Sequence, residues 1–421
     1  MSCCWFWFLG DQQKQGWRSE SVASWKGSNT NEEGSYTELA EPLEFDPARY
    51  TSMSPIVEAL LDGSTALVRG DWLAAWSTTG LPLPSREDLP AGALWEPGEL
   101  EVGSEKRNTL IDGSWTDVHV VAVSHCWMTP DHPDPDGVQA RALGRAINVF
   151  HASFDDHVNT AILFDWCSYF QGSGNVAVHR HLRHASLWFA SKVTSVWCLT
   201  SVVVGMPSAA RGWTMFEQTL AQVHHRTTNL DLSRFVEGEC WSRVRQNCRT
   251  VQQPPVHPNK MADLLEASQD GAFDDFSAVP EDRHTISRLY QKVFHALMSA
   301  VETLNYSGLQ WGDASCEVLS MVLPECTRLR ELHLWDNDIG DAGAALLAGV
   351  VPQCNNLQSL NLYGNSVGDR GALALAVSFV ATQRPACLNL MFNSLTHQGK
   401  RVVSEVWREM PQDDTWTFLG V

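Results

Sequence analysis

The chain has 421 residues, 44% of them hydrophobic and 19% charged, which is more than one hydrophobic core usually serves; two folded units with connecting segments are expected. Its formal charge, 30 minus 49, is −19; an acidic surface of this size repels phosphate backbones and excludes nucleic acid as the default partner. The eleven cysteines are scattered, with only Cys3 and Cys4 adjacent, so neither a zinc knuckle nor a disulfide framework is legible and a reducing cytoplasm is the expected compartment.

The opening stretch Met1 to Leu9 is apolar, but it has no positive leader and is too short for a signal peptide or a membrane span. Cys3 and Cys4 beside aromatic residues are candidates for acyl anchoring at a membrane surface; a frayed terminus is the plainer reading. Residues 10–50 are rich in Ser, Gly, Asn, Glu and Gln, and the 1–50 segment is expected to be disordered, because it cannot bury enough surface to offset its ordering entropy. Residues 51–116 combine short amphipathic runs (Ile56, Leu60, Leu67, Leu73, Trp76) with a Pro- and Gly-rich stretch, and are expected to wrap a neighbouring domain. No segment has the length and apolarity of a transmembrane helix.

From 117 to 230 the pattern becomes strand alternating with helix. Strands are expected at His119 to Ser124, Ala161 to Phe164 and Val193 to Val204, and helices at Gly137 to Phe150, Val176 to Ser191 and Ala209 to His224. This interval implies right-handed crossovers and a parallel sheet covered on both faces, an α/β domain. Residues 231–280, broken by Pro254, Pro255 and Pro258, are expected to form a linker. Helical periodicity then returns through Ile286, Leu289, Val293 and Leu297, the lead-in to the carboxyl-terminal region.

Residues 281–421 carry a repeat. Leu329-x-x-Leu332-x-Leu334-x-x-Asn337 recurs 28 residues later as Leu357-x-x-Leu360-x-Leu362-x-x-Asn365, and again as Pro385-x-x-Leu388-x-Leu390-x-x-Asn393. One step earlier, Val301-x-x-Leu304-x-Tyr306-x-x-Leu309 keeps the frame. Ile339-Gly-Asp-Ala-Gly343 and Val367-Gly-Asp-Arg-Gly371 match at the same step. Each unit has an apolar face that it can bury only against its neighbours. Asn337, Asn365 and Asn393 are expected to ladder the turns. The pattern resembles the leucine-rich-repeat family, in its ribonuclease-inhibitor-like class with a helix in every repeat. That resemblance implies an α/β solenoid holding a protein partner on its concave strand face, through Glu331, His333, Trp335, Ser359, Asn361, Tyr363, Asn389 and Met391.

Three segments of the α/β region carry unusual residues: Val123-Ser-His-Cys-Trp127, Phe164-Asp-Trp-Cys-Ser-Tyr-Phe-Gln171 and Arg211-Gly-Trp-Thr-Met-Phe-Glu217. The first two lie at strand ends, where open parallel sheets bind ligands, so Ser124, His125, Trp127 and Asp165 are candidates to line one crevice. Trp213 and Glu217, four apart on a helix, share a face. Ser124-x-x-Trp127, Asp165 with Gln171 six later, and Arg211-x-Trp213-Thr-x-x-Glu217 resemble the heterokaryon-incompatibility domain, a relative of the Toll/interleukin-1 receptor fold. The resemblance implies a small flavodoxin-like sheet and an innate-immunity-like signalling role. It also implies cleavage of NAD+ at its nicotinamide–ribose bond by Glu217, with Ser124, Trp127, Asp165, Arg211 and Trp213 around the substrate. His125, Met128 and Phe216 depart from the family pattern.

One carboxylate is sufficient for such chemistry, because nicotinamide leaves as a neutral molecule and the oxocarbenium-like ribose is what needs stabilising. An enzyme of this kind expects Glu217 to face an open pocket near Ser124, Trp127 and Asp165. A non-catalytic scaffold, assembling through self-association of the α/β domain, expects Glu217 buried against Arg211. A cysteine or dinucleotide-dependent enzyme would need Cys126, Cys167 or the turn at Gly174 in the cleft. No metal site is expected: His179, His181 and His184 lack companion ligands and read as a solvated face, and Asp131-His-Pro-Asp-Pro-Asp136 reads as a rigid loop.

Overall fold

The computed structural model describes residues 46–104, 118–129, 131–154, 158–171, 181–199, 212–223, 229–250, 252–267, 280–384, 386–410 and 418–421. The chain divides into two compact units, one of residues 1–250 with 262–290 and the other of 251–261 with 291–421. Most of the 1–50 segment, with Cys3 and Cys4, lies outside the described residues.

The first unit is built on a five-stranded sheet of order β1-β3-β2-β4-β5. Its strands are β1 (Val68–Arg69), β2 (Val118–His125), β3 (Asn159–Leu163), β4 (Thr194–Leu199) and β5 (Leu230–Asp231). β2 pairs in parallel with β3 and β4, and β4 with β5. The sheet is nevertheless mixed rather than wholly parallel, since β1 runs antiparallel to β3 at one edge. β1 comes from the segment expected only to wrap. Two residues give no periodicity to read, and an edge strand needs only one partner.

β2 is buried along nearly its whole length, which its run of Val and Ala requires of a central strand covered on both faces. Helix Val138–Ala152 puts Leu143, Ile147 and Phe150 into a core shared with Val121, Val123, Ile162 and Trp197. Helix Trp241–Cys248, within the stretch expected to be a linker, buries Trp241, Val244 and Cys248 in the same core. Phe150 meets Trp241 edge-on at 4.9 Å, an arrangement that ring quadrupoles favour and that accounts for one of the tryptophans. The start of Val138–Ala152 is fixed by Asp134, whose Oδ2 accepts from Ala140 N at 2.7 Å. The acidic loop is therefore a helix cap. His184 is likewise no solvated-face residue: it is buried and its Nε2 lies 3.0 Å from Asp62 Oδ2. Burial alone would raise the Asp62 pKa, but hydrogen bonds from His184 and Ser64 outweigh it and hold the carboxyl down at about 2.

His119, on β2, stacks on Phe150 at 5.1 Å, and burial depresses its pKa from 6.5 to about 4. Between those values the unfolded chain binds a proton that the folded chain refuses. Stability is therefore complete above pH 6.5 and is lost as the pH falls toward 4. The gap corresponds to about 3 kcal/mol. Urea titrations across this window are expected to show that loss in the parent and a flatter profile in His119→Phe; equal slopes in both would assign the acid sensitivity to other groups.

In the second unit, β6 (Thr303–Asn305), β7 (Glu331–His333), β8 (Ser359–Asn361), β9 (Cys387–Asn389) and β10 (Phe418–Gly420) form a wholly parallel sheet in sequential order. The register steps by one repeat at each pairing, aligning Leu304, Leu332, Leu360 and Leu388. β10 adds a strand beyond the repeats legible in the sequence. Helices Asp313–Val322, Asp341–Val350, Asp369–Thr382 and His397–Trp407 alternate with the strands. In the lead-in helix Pro280–Ala300, Ile286, Leu289, Val293 and Leu297 are all buried.

Two ladders tie successive units. Asn365 Oδ1 accepts from Ile339 N at 3.0 Å, while its Nδ2 donates to Leu334 O and Leu362 O at 2.9 and 3.0 Å. Asn337 and Asn393 repeat the arrangement. At the helix N-termini a second ladder runs through carboxylates: Asp313 Oδ1 accepts from Gly340 N and Gly343 N at 2.8 Å, and Asp341 Oδ1 from Gly368 N and Gly371 N at 2.7 and 2.8 Å. These orphan amide groups need acceptors, and negative charge suits that end of the helix dipole. The approach is close enough to demand glycine, since a Cβ on Gly343 or Gly371 would lie 2.6 or 2.7 Å from a carboxylate oxygen.

Candidate functional site

At the carboxyl ends of the central strands the first unit gathers a buried polar cluster. β2 lies between β3 and β4, which precede and follow a reversal of strand order, and such a point is where open α/β sheets form ligand crevices. β2 delivers Ser124 and His125 there and Trp127 follows; Asp165 begins a single helical turn after β3. Asp165 is the hub. Its Oδ1 lies 2.8 Å from His125 Nε2 and accepts from Trp166 N at 2.5 Å, and its Oδ2 accepts from Trp127 Nε1 at 2.8 Å. Burial by itself would raise the Asp165 pKa, but the His125 charge and the donors from His125 and Trp127 outweigh it and hold the carboxyl far below the usual carboxylate range. The His125 ring stacks on Phe164 at 4.1 Å, which fixes the donor's plane.

Glu217, on helix Gly212–Ala221, is 2% exposed. Burial raises its pKa, and the charge of Asp165 adds to the effect. The buried Ser124 hydroxyl makes no well-formed hydrogen bond, yet it is close enough to the Glu217 carboxyl to oppose the shift. Tyr169 also belongs here, since burial and the Glu217 and Asp165 charges push its hydroxyl well up. Sequence reasoning missed Tyr169; it falls between Asp165 and Gln171, the two positions that carried the resemblance.

The structure thus brings Ser124, Trp127, Asp165 and Glu217 into one cluster. Trp213 is buried on the same helix as Glu217 and packs edge-on against Phe216 at 5.6 Å. Arg211 and Gly174 lie outside the described residues, as do the expected Arg211–Glu217 pairing and the Gly-rich turn. Ser124 Oγ, His125 Nδ1 and Trp213 Nε1 are buried with no hydrogen-bond partner among the described residues. Cys167 is no poised nucleophile: burial and the nearby Asp165 charge push its thiol up, and it donates to Pro84 O at 3.2 Å. Cys126 is buried with its sulfur 3.8 Å from Thr214 Oγ1. Among the described residues no three His, Cys, Asp or Glu side chains are grouped to hold a metal ion.

The second candidate surface is the outward side of the β6–β10 sheet. Trp335, Tyr363 and Met391 are 41%, 38% and 39% exposed. Glu331 is exposed and lies 3.1 Å from His333 Nε2. Ser359, Asn361 and Asn389 are half-buried, and the two asparagines turn inward along the backbone, their Oδ1 atoms accepting from Tyr363 N and Met391 N at 3.0 and 3.1 Å. Phe392, at 71% the most exposed large apolar side chain among the described residues, is not among the residues expected on this face.

Comparison with known families matches residues 325–348 and 353–376 to the leucine-rich repeat. These two stretches contain β7, β8 and parts of the helices that come after them. No curated protein matches the chain significantly. No helix among the described residues is long and apolar enough to cross a membrane.

Proposed function

We propose that this chain is a cytoplasmic signalling or sensor protein, in which the strand–helix units form a leucine-rich-repeat solenoid of ribonuclease-inhibitor-like type that holds a protein partner on its strand face. The observation that carries this reading is the row of exposed Trp335, Tyr363 and Met391, flanked by Glu331 and His333. Large aromatic groups that remain exposed side by side on a parallel sheet are the usual anchors of an interface. Peptides selected on the full chain are expected to lose affinity for Tyr363→Ala; peptides indifferent to every substitution on this face would remove it as a binding site.

The polar cluster supports a reading of the α/β unit as a flavodoxin-like, Toll/interleukin-1-receptor or heterokaryon-incompatibility type of domain. Its parallel strands run β3-β2-β4-β5, the order of a doubly wound sheet. Two activities are compatible with it. Cleavage of NAD+ by Glu217, with Ser124, Trp127, Asp165, Arg211 and Trp213 around the substrate, is favoured by His125 Nδ1 and Trp213 Nε1, buried polar atoms that have no hydrogen-bond partner among the described residues, since such groups are rare unless a ligand uses them. Non-catalytic self-association is favoured by the depth of Glu217. Nicotinamide release by the purified chain and by Glu217→Gln separates them. On the enzyme reading the variant loses at least about a hundredfold in rate, as expected when one transition-state charge stabiliser is removed. Absence of release from the parent at high protein concentration would leave self-association, read by sedimentation.

A further inference from the structure

If the strand face holds a partner, as the leucine-rich-repeat reading requires, its chemistry selects one kind. Asp336 N donates to Tyr363 O at 2.8 Å and Gly364 N to Met391 O at 3.0 Å, so Trp335, Tyr363 and Met391 stand on successive rungs of the sheet. Rungs of a sheet are spaced about 4.8 Å. The three side chains therefore form a continuous apolar column. Phe392 extends it, its ring centroid 4.8 Å from that of Tyr363.

Phe392 holds this place against its own backbone preference. Its φ of 58° is left-handed, and the equivalent positions one, two and three repeats earlier have φ values of 67°, 57° and 66°. Those positions are Gly364, Asp336 and Gly308, residue types that tolerate the conformation. A phenylalanine there is disfavoured by its backbone and, 71% exposed, gains little burial in return. Such a ring is retained for contact.

The ionised side chains at and next to the outward strand positions are mainly carboxylates, with the exposed Arg330 beside Glu331. Asp336, next to Trp335, is exposed, and Glu331 is exposed on the same strand about 13 Å before Trp335, beside His333. None of the outward positions along β6 to β9 is a lysine or arginine. Ring faces attract cations through their quadrupoles, guanidinium groups stack on them especially well, and neighbouring carboxylates add to the attraction. An overall charge of −19 steers in the same direction.

We infer that this face takes an arginine- or lysine-bearing segment of a partner protein. The cationic head groups lie over Trp335 and Tyr363 against Glu331 and Asp336. The aliphatic stems or an adjacent apolar residue cover Met391 and Phe392.

The test is selection of displayed random 12-residue peptides, unbiased in charge, on the full chain, followed by anisotropy titrations of the labelled winners. The expected result is enrichment in arginine and lysine. Affinity should fall about tenfold in Trp335→Ala or Tyr363→Ala, and about tenfold between 50 and 300 mM salt. A Glu331→Lys/Asp336→Lys variant should lose binding, while Glu405→Lys/Glu409→Lys, the same charge change at exposed positions in and just after the last helix, should not. Phe392→Gly should bind several-fold more weakly yet melt no lower than the parent, because glycine accepts the left-handed backbone; a merely structural phenylalanine would not divide affinity from stability in this way. Neutral or acidic winners that still depend on Tyr363 would overturn the cationic partner while leaving the face as a binding site. Winners indifferent to every face substitution would overturn both. Self-association of the bare chain that Phe392→Gly abolishes would make the occupant a second copy and overturn the inference.

Discussion

Asp165→Ala is expected to destabilise the α/β unit by about 4 kcal/mol, on the order of ten degrees in melting temperature. The two Asp165 oxygens receive His125 Nε2, Trp127 Nε1 and the Trp166 amide, all within 2.8 Å. Alanine leaves these buried donors facing no acceptor, and the stacking of His125 on Phe164 prevents an easy turn toward another. Asp165→Asn keeps an acceptor but reverses half of the amide, and should cost about half as much. Denaturant unfolding followed by near-ultraviolet dichroism reports both, because Trp127 loses its fixed environment. A loss under about 1 kcal/mol for alanine would mean that His125 and Trp127 find other partners. The result also bears on function. A carboxylate engaged on both oxygens by protein donors holds the strand ends in place, so in the proposed site Asp165 orients His125 and Trp127.

Asn365→Ala is expected to cost about 3 kcal/mol or more, through loss of one acceptor and two donors to buried backbone. Ile339 N, Leu334 O and Leu362 O would be left without their partners inside the stack. Asn393→Ala should cost less, because Asn393 is only half-buried. Urea unfolding of the full chain with each variant measures the difference. Equal and small losses would mean that water replaces the amide at both positions.

The repeats are legible because a fixed 28-residue step places leucine and asparagine at equivalent positions, and each strand pairs at that same step. The carboxylate ladder is not legible, although Asp341 and Asp369 stand in the matching Gly-Asp pairs. Asp341 accepts from amides 27 and 30 residues further on, and Asp369 from the amide and hydroxyl of Thr396, 27 residues on. Phe392 escapes the recurrence because the apolar frame does not include its position, where the other units hold Gly308, Asp336 and Gly364. In the α/β unit, β2, β3 and β4 announce themselves through aliphatic runs. β1 offers two residues and no pattern. Strand-end logic groups Ser124, His125, Trp127 and Asp165 in one crevice, and Glu217 joins them only through the family resemblance. That Asp165 is consumed by His125 and Trp127 is a matter of side-chain direction between residues about forty apart, which spacing does not encode.

The asparagine ladder also has a direction. Asn337 reaches back to Tyr306 O, Asn365 to Leu334 O and Asn393 to Leu362 O, so in this ladder each strand turn is completed by the unit after it, whereas the carboxylate ladder runs the opposite way. A chain made from its amino terminus therefore cannot secure a unit's strand turn until the next unit has been synthesised and folded against it. Pulled from the carboxyl end, the same ladder opens like a zip with one slider, each departing unit unlatching its predecessor.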